Sequence, residues 1–185
     1  GFGKAEELLG QVFADAPAYR DRMVLATKGG ITPPTPYDSS AEYLTKAIDD
    51  SLSRLRTDRI DLWQIHRPDV LTHPQEIART IEDAHKAGKI RAFGVSNFTQ
   101  AQITALAQFS AVPIVSTQPE LSPLRIDTIE NGELDQAIAM DLAVMAWSPL
   151  GVAAAVAASP PPSASLPRCA TDDATEPGRC CCCCC

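Results

Sequence analysis

Side chains that can take part in chemistry recur at the ends of successive predicted strands. Lys28 follows the apolar stretch 23–27, and His66 follows the stretch 60–65. The later strand ends carry Ser96 with Asn97, Gln118, and Trp147 followed by Ser148, Pro149, Leu150 and Gly151. Ammonium and imidazole groups can donate protons, amides can hydrogen-bond, and an indole can stack on a ring. Because the carboxyl ends of parallel strands share one rim, these groups predict a common ligand site.

The elements that must position these groups alternate regularly along the chain. Apolar residues at helical spacing predict five helices: 4–14, one after Ser39 that ends with Leu55, one after Thr72 that ends before Gly88, one after Thr99 that includes Leu106, and 134–140. Short β-favouring runs predict strands at 23–27, 60–65, 90–95, 112–117 and 142–147. Five continuous apolar strands joined by helical crossovers indicate an α/β fold with a parallel sheet. Capping-box spacing places helix starts at Ser39 and Thr72.

Composition excludes several classes of function. The chain has 185 residues and a net charge of −7, which argues against a nucleic-acid surface. No apolar run approaches the 18 or so residues that cross a bilayer, so we expect no membrane partner. All seven cysteines follow residue 168, so the remainder has no disulfide framework. That pattern suits a cytoplasmic protein, and no specific protein partner is inferred.

The chain divides into two parts. Residues 1–151 hold all the predicted elements, whereas residues 152–185 are rich in Ala, Pro and Ser and end in six consecutive cysteines. Such a segment buries too little apolar surface to offset its ordering entropy. We therefore predict a folded domain over 1–151 and a disordered tail over 152–185.

Three other interpretations stay open from the residues alone. Lys28 could act as the nucleophile of a Schiff-base lyase, although this leaves Ser96, Asn97 and Gln118 without a role. The chain could also be a non-catalytic product that only retains the rim. A metal site through His66 and His73 lacks a third ligand at regular spacing, so we predict none.

Several segments together are similar to those of a known family. They are Ala-Thr-Lys-Gly (26–29), Ile-Asp-Leu-Trp-Gln-Ile-His-Arg-Pro (60–68), Gly-Lys-Ile-Arg-Ala-Phe-Gly-Val-Ser-Asn-Phe (88–98), Gln-Pro-Glu-Leu-Ser (118–122) and Ala-Trp-Ser-Pro-Leu-Gly (146–151). In this order they resemble the aldo-keto reductases. The opening Gly-Phe-Gly-Lys-Ala-Glu-Glu-Leu-Leu-Gly resembles the segment after that family's catalytic tyrosine.

The resemblance implies an (α/β)₈ TIM barrel, present here as an incomplete barrel, that transfers hydride from NADP(H) to an aldehyde or ketone, with NAD not excluded. In that case Lys28 lowers the pKa of the proton-donating tyrosine. His66 polarises the carbonyl oxygen. The resemblance also assigns residues to the cofactor: Ser96, Asn97 and Gln118 to the carboxamide, Trp147 to the nicotinamide ring, and Ser148, Pro149, Leu150 and Gly151 to the pyrophosphate.

The resemblance also implies that this chain is a fragment with an unrelated tail. The family's tyrosine is expected immediately before Gly1, its paired aspartate a few residues earlier, and three of the eight strands outside this sequence. We therefore expect unpaired sheet edges at the strands of Val24 and Val144. We also expect marginal folding and no activity for the chain as written.

Overall fold

The computed structural model describes residues 3–34, 37–151 and 181–183. The strands are β1 (Val24–Gly29), β2 (Ile60–Ile65), β3 (Ile90–Ser96), β4 (Ile114–Gln118), β5 (Ala143–Val144) and β6 (Cys181–Cys183). The helices are α1 (Lys4–Asp15), α2 (Ala18–Arg22), α3 (Ala41–Leu55), α4 (Pro74–Lys86), α5 (Gln100–Phe109), α6 (Asp127–Glu130) and α7 (Glu133–Ala139). The predicted alternation of helices and strands is confirmed, and α2 and α6 are added to it.

The strands form one parallel sheet in the order β5-β4-β3-β2-β1-β6. Strands β1 to β5 therefore lie in sequence order, each joined to the next through helix-containing segments. Sequential parallel pairing of this kind is the topology of an (α/β)₈ barrel, here represented by part of its strands.

The two faces of the sheet differ sharply. The side of β2 that carries Trp63 and Ile65 packs with the helices, and both side chains are fully buried. The Trp63 indole packs directly against Gly29. A Cβ added at Gly29 would lie 2.6 Å from the indole and 3.3 Å from the Cβ of Ala47, so no larger residue fits there. The opposite side of β2 carries Gln64, a buried polar residue. Since strand residues alternate between faces, Leu62 lies on the inner face with Gln64, and the polar part of that face is the part near the strand's carboxyl end.

Two helix starts lie one residue after their predicted caps. The Ser40 hydroxyl, not that of Ser39, accepts from the backbone N–H of Tyr43. At α4 the cap is His73, whose Nδ1 accepts from the backbone N–H of Gln75 at 3.1 Å. Thr72 instead donates to Asp69. The capping pattern located both helices but did not distinguish neighbouring polar residues.

Strand limits also differ from those predicted. Strand β1 continues to Gly29, so Lys28 lies within it. Strand β5 comprises Ala143–Val144 only, although the Trp147 N–H still donates to the Pro119 carbonyl at 3.0 Å. The chain thus continues beside β4 after the formal strand ends. Pro119 has no N–H to offer in return, which accounts for the broken ladder.

The terminal cysteine run contributes a strand that was not predicted. Cys181–Cys183 pair in parallel with Val24, Leu25 and Ala26. The expected unpaired edge at Val24 is therefore wrong, and the division into a domain over 1–151 and a tail over 152–185 stays a prediction. The physical reason is that an exposed strand edge offers backbone groups to any extended segment, whatever its side chains. The remainder of the predicted tail, apart from Gly151 before it, lies outside the described residues.

In the described ranges, none of the helices combines the length and the apolar character that a membrane crossing requires.

Candidate functional site

The sheet register brings the inner-face polar residues into rows. Lys28 pairs with Gln64, Gln64 with Gly94, and Gly94 with Ser116. One step further along, Ser96 pairs with Gln118. The Gln64 amide donates to the Ser116 hydroxyl at 3.2 Å, across the glycine between them. A Cβ at Gly94 would lie 2.1 Å from that hydroxyl, so the row requires a glycine there.

Lys28 reaches across the inner face to Gln118. Its Nζ donates to Oε1 of Gln118 at 3.1 Å. Strands β1 and β4 are third neighbours, and neighbouring strands are about 4.8 Å apart, so a flat sheet would separate them by roughly 14 Å. The contact therefore indicates that the inner face curls, as the wall of a barrel does.

Asn97 connects the ends of several strands. Its Nδ2 donates to the His66 carbonyl at 3.0 Å and to the Ser96 hydroxyl at 2.9 Å. Its Oδ1 accepts from Nε1 of Trp147 at 2.9 Å. The Ser96 hydroxyl in turn donates to the Gln118 carbonyl at 2.8 Å. The predicted rim residues from β2 to the β5 end thus form one hydrogen-bonded network, to which Lys28 is joined through Gln118.

His66 is held as a neutral imidazole at the mouth. Burial, the ammonium of Lys28 and the guanidinium of Arg67 lower its pKa from 6.5 to about 4. Its backbone N–H donates to the Gly29 carbonyl at 2.7 Å, which fixes the turn after β2. A neutral imidazole carries one N–H and can therefore donate a hydrogen bond to a substrate oxygen at neutral pH.

This lowered pKa predicts a loss of stability in mild acid. The unfolded chain takes up a proton near pH 6.5 and the native chain only near pH 4, so the unfolded state binds more protons between these values. As pH falls through this window, His66 should progressively lower the free energy of unfolding, and solvent screening of the partly exposed imidazole keeps the effect small. Urea unfolding of the parent and His66→Gln at pH 7, 5.5 and 4.5 measures it. Equal pH slopes for the two proteins would contradict the assignment.

Trp147 forms the far wall of the site. The Arg67 guanidinium lies over its ring, 5.9 Å from the centroid, which is a cation–π arrangement. After Trp147 the chain turns sharply, with left-handed backbone at Ser148 (φ 49°) and Gly151 (φ 92°). The Gly151 N–H donates to the Ser148 carbonyl at 2.8 Å. Leu150 is 86% exposed, so this predicted pyrophosphate segment forms an open turn beside the mouth.

Two loops of the rim are joined by Asp69. Its carboxylate accepts from the Thr72 hydroxyl and from the backbone N–H groups of Leu71 and Ser39. Burial alone would raise the pKa of Asp69, but the hydrogen bonds from Thr72, Leu71 and Ser39 outweigh it and lower that pKa. The ionised carboxylate therefore keeps the loop after β1 against the loop after β2.

A cavity of about 600 Å³ lies at the β1 side of the site. It is lined by Lys28 and His66 together with residues of α1 and α3, including Glu6 and Arg54. Glu6 accepts from the Thr27 hydroxyl at 2.5 Å and from Arg54 at 2.7 Å. The amide residues on the other side of the mouth do not line this cavity. We therefore define the candidate site by the hydrogen-bonded network and treat the cavity as its β1-side extension.

Sequence reasoning missed several members of the site. Gln64 was counted within an apolar strand, although a polar residue in the middle of such a strand is itself a signal of an inner-face role. Arg67 follows His66 directly and Asp69 lies three residues after it, and their charges at a strand end could have suggested rim positions. The left-handed backbone of Asn97 (φ 60°) could not be predicted from the sequence: asparagine tolerates that conformation but does not require it.

Within the described ranges, no group of three or more His, Cys, Asp or Glu side chains is placed to hold a metal ion. His73, considered above as a ligand, caps α4 and contacts the Phe109 ring edge-on at 5.3 Å between centroids.

Comparison with known proteins gives a consistent result. A sequence model described as the Aldo/keto reductase family matches residues 1–163. A 6-dehydroglucose reductase of Novosphingobium aromaticivorans is 66% identical over 151 residues, covering 82% of this chain and 50% of that protein. Oxidoreductase YdhF of Escherichia coli is 36% identical over 155 residues, covering 80% of this chain and 52% of that protein. The chain thus spans about half the length of the curated relatives it matches.

Solved structures agree with the sequence relatives. The glycerol dehydrogenase of Gluconobacter oxydans superimposes with a TM-score of 0.73 at 32% identity, covering 91% of this chain and 52% of that one. An aldo/keto reductase of Klebsiella pneumoniae, solved in complex with NADP and acetate, gives 0.66 at 30% identity, covering 78% of this chain and 48% of that one. These likenesses confirm the predicted fold class.

Proposed function

Because this chain belongs to the aldo/keto reductase family, we propose that it binds NADP(H) at the rim described above and serves hydride transfer to an aldehyde or ketone. The observation that carries the proposal is the single network joining Lys28, Asn97, Gln118 and Trp147 beside His66. Its members have the chemistry that a nicotinamide and a carbonyl require.

The donor and acceptor set fits a nicotinamide carboxamide. Oε1 of Gln118 accepts a hydrogen bond from Lys28. Its Nε2 donates to none of the described residues and is therefore available to a ligand. Ser96 and Asn97 each keep a free lone pair, because Ser96 accepts one bond and Oδ1 of Asn97 accepts one. A carboxamide needs a donor for its oxygen and acceptors for its NH₂ group, and the three side chains supply both. When bound, the reduced nicotinamide supplies the hydride.

The other side of the site suits a carbonyl group. The neutral His66 can donate to the carbonyl oxygen as negative charge develops there. Lys28 supplies the positive charge that would stabilise a neighbouring phenolate and so make a tyrosine a better proton donor. In the turn from Ser148 to Gly151, the backbone N–H groups of Ser148 and Leu150 are left for the cofactor's pyrophosphate, because Pro149 has none and that of Gly151 donates to the Ser148 carbonyl.

The proton donor decides how fast such a site works. The chain's tyrosines are Tyr19, Tyr37 and Tyr43, and in the described part none of their hydroxyls hydrogen-bonds Lys28; that of Tyr43 donates to the Ile31 carbonyl. General acid catalysis contributes about 10²–10⁴-fold. We therefore propose that this chain binds the cofactor but reduces carbonyls only slowly by itself.

For the substrate we propose a small aldehyde derived from a sugar, since two relatives, one of them 66% identical, are named 6-dehydroglucose reductases. A cytoplasmic location, where NADPH is available, completes the proposal; residues 1–168 contain no cysteine, which suits that compartment.

Cofactor titration tests the proposal. Addition of NADPH should quench the tryptophan emission saturably, and Trp147→Phe should reduce the quench, because Trp147 lies at the site whereas Trp63 is buried on the other face of β2. NADH in parallel measures the preference between the cofactors. Oxidation of NADPH with a sugar aldehyde should be slow but should depend on the aldehyde. Absence of quenching at millimolar NADPH in a folded sample would contradict cofactor binding.

Two alternatives remain distinguishable in the same assays. A chain that binds NADPH without any aldehyde-dependent oxidation would be a cofactor-binding remnant. Borohydride trapping of a carbonyl compound on Lys28 would favour a Schiff-base lyase, which the family membership makes the weaker candidate.

A further inference from the structure

We propose that Arg67 determines substrate specificity at this site, because its guanidinium binds an oxygen substituent, hydroxyl or carboxylate, that the aldehyde carries close to its reacting carbonyl. The inference rests on the proposed function, since it assigns a second contact to the carbonyl compound that His66 receives. It also gives the sugar-derived character of that compound a basis in a residue of this chain.

The Arg67 side chain crosses the mouth of the site. Arg67 follows His66 at the end of β2, whereas Trp147 lies beyond β5, and these two strands are third neighbours in the sheet. The guanidinium nevertheless lies over the Trp147 ring, 5.9 Å from its centroid. A molecule that enters the mouth between His66 and Trp147 therefore meets this guanidinium.

The Arg67 guanidinium has donors to offer. In the described part of the chain, no carboxylate, hydroxyl or carbonyl oxygen accepts a hydrogen bond from it. Its five N–H donors form a planar fork that fits two neighbouring oxygen atoms. The carboxylate of Asp69 is close in sequence, but it accepts from the Thr72 hydroxyl and from two backbone N–H groups. The fork is therefore left for a ligand.

The charges around His66 favour a ligand that is rich in oxygen. The ammonium of Lys28 and the guanidinium of Arg67 both act on the imidazole and lower its pKa. Since the chain as a whole has a net charge of −7, this positive field is a local property of the site. Such a field attracts carboxylates and orients hydroxyl dipoles, whereas an aliphatic chain gains nothing from it.

The position of Arg67 also leaves room for a nicotinamide on Trp147. Stacked planar groups lie about 3.5 Å apart, so a guanidinium beyond a nicotinamide would lie about 7 Å from the indole. That is about 1 Å beyond the observed 5.9 Å, a shift that a long side chain can make. The guanidinium would then lie on the same side of the nicotinamide as the carbonyl compound.

Three aldehydes of equal chain length test the assignment. Propanal carries no further oxygen, glyceraldehyde carries two hydroxyls, and tartronate semialdehyde carries a hydroxyl and a carboxylate. NADPH oxidation gives kcat/KM for each. Arg67→Met should lower kcat/KM for the two oxygenated aldehydes about tenfold more than for propanal, as expected for the loss of a hydrogen bond from a charged donor. The oxygenated aldehyde with the larger loss identifies the oxygen group that Arg67 binds.

Arg67→Lys and Arg79→Met are the matched variants. Lysine keeps the charge but not the planar fork, so its preference for oxygenated aldehydes should lie between those of the parent and Arg67→Met. Arg79 is exposed on α4 and outside the network, so Arg79→Met removes the same charge and should leave the preference unchanged. Without Arg67, burial and Lys28 still lower the pKa of His66, so its imidazole stays neutral at neutral pH.

Equal losses for propanal and the oxygenated aldehydes in Arg67→Met would overturn the inference. So would an unchanged preference together with weaker NADPH binding, because the guanidinium would then serve the cofactor's pyrophosphate.

Unreactive alcohols separate this inference from the proposed function, because their binding requires no turnover. The chain has two tryptophans, so the Trp147 indole signal in ¹⁵N NMR is identified by its loss in Trp147→Phe, and its shift reports the binding of glycerol, glycerate and 1-propanol. If the parent oxidises no NADPH, the proposed reaction is refuted. Tighter binding of glycerol or glycerate than of 1-propanol, lost in Arg67→Met, would still support the Arg67 contact. Equal binding of all three would overturn it.

Discussion

Replacing Asp61 with alanine is expected to lower the free energy of unfolding by about 3–5 kcal/mol, the cost of breaking a buried ion pair from one side. Asp61 lies on β2 at the end of the sheet opposite the site. One carboxylate oxygen accepts from the Arg20 guanidinium at 2.9 Å and from the Leu25 backbone N–H at 2.9 Å. The two charged side chains are only 9% and 14% exposed, so little water can replace the lost carboxylate.

The destabilisation should come mainly from the Arg20 guanidinium, which would stay buried without its counter-ion. Arg20 would retain its bonds to the Thr57 hydroxyl and the Arg59 carbonyl, but no carboxylate would balance its charge. Urea unfolding by circular dichroism measures the effect, with Asp58→Ala as the control, because Asp58 is 86% exposed. If both variants unfold at the same urea concentration, Asp61 does not stabilise the β1–β2 pairing as inferred. The free energy of unfolding of Asp61→Asn should lie between those of the parent and Asp61→Ala, because asparagine can still accept a hydrogen bond from the Leu25 N–H.

Changing Gln118 to glutamate is expected to weaken NADPH binding about 10–100-fold, the cost of leaving a carboxamide oxygen unpaired and facing a carboxylate. The variant keeps the length of the side chain and the contact with Lys28, which would become an ion pair. Only the Nε2 donor disappears. The effect therefore isolates the group that we assign to the carboxamide oxygen.

The control for this second substitution is Gln108→Glu. Gln108 is exposed near the end of α5, at the opposite end of that helix from the rim, and the change adds the same negative charge. Titration of both variants with NADPH separates a local donor from a change in net charge. If the Kd for NADPH of Gln118→Glu stays within twofold of the parent value, the Gln118 Nε2 group does not donate to the carboxamide oxygen. An equal loss in both variants would indicate long-range electrostatics instead.

The two substitutions act at opposite ends of the sheet, Asp61 on β2 and Gln118 on β4. Asp61 pairs at the amino-terminal part of the sheet, whereas Gln118 ends β4 at the rim. We expect Asp61→Ala to change stability more than cofactor affinity, and Gln118→Glu to do the reverse. This division is typical of barrels, in which one end supports the fold and the other carries the site.

The fold class and the residues of the rim could be predicted from the sequence alone. Periods of 3.6 and 2 residues are local properties, so alternating helices and strands could be assigned from the chain, and parallel crossovers then required the strand ends to share one edge. Lys28, His66, Asn97, Gln118 and Trp147 followed from that rule. The roles assigned to them remain predictions, as does the domain boundary at residue 151.

The hydrogen bonds among these groups could not be predicted in the same way, because they depend on the folded structure. The Lys28–Gln118 contact depends on how strongly the sheet curls, and the Asn97–Trp147 bond depends on one left-handed residue. The pairing of Cys181–Cys183 with β1 depends on a backbone edge that carries no side-chain signal. Hydrogen-bond partners are set by register, curvature and backbone conformation across segments far apart in sequence, and periodicity contains none of these.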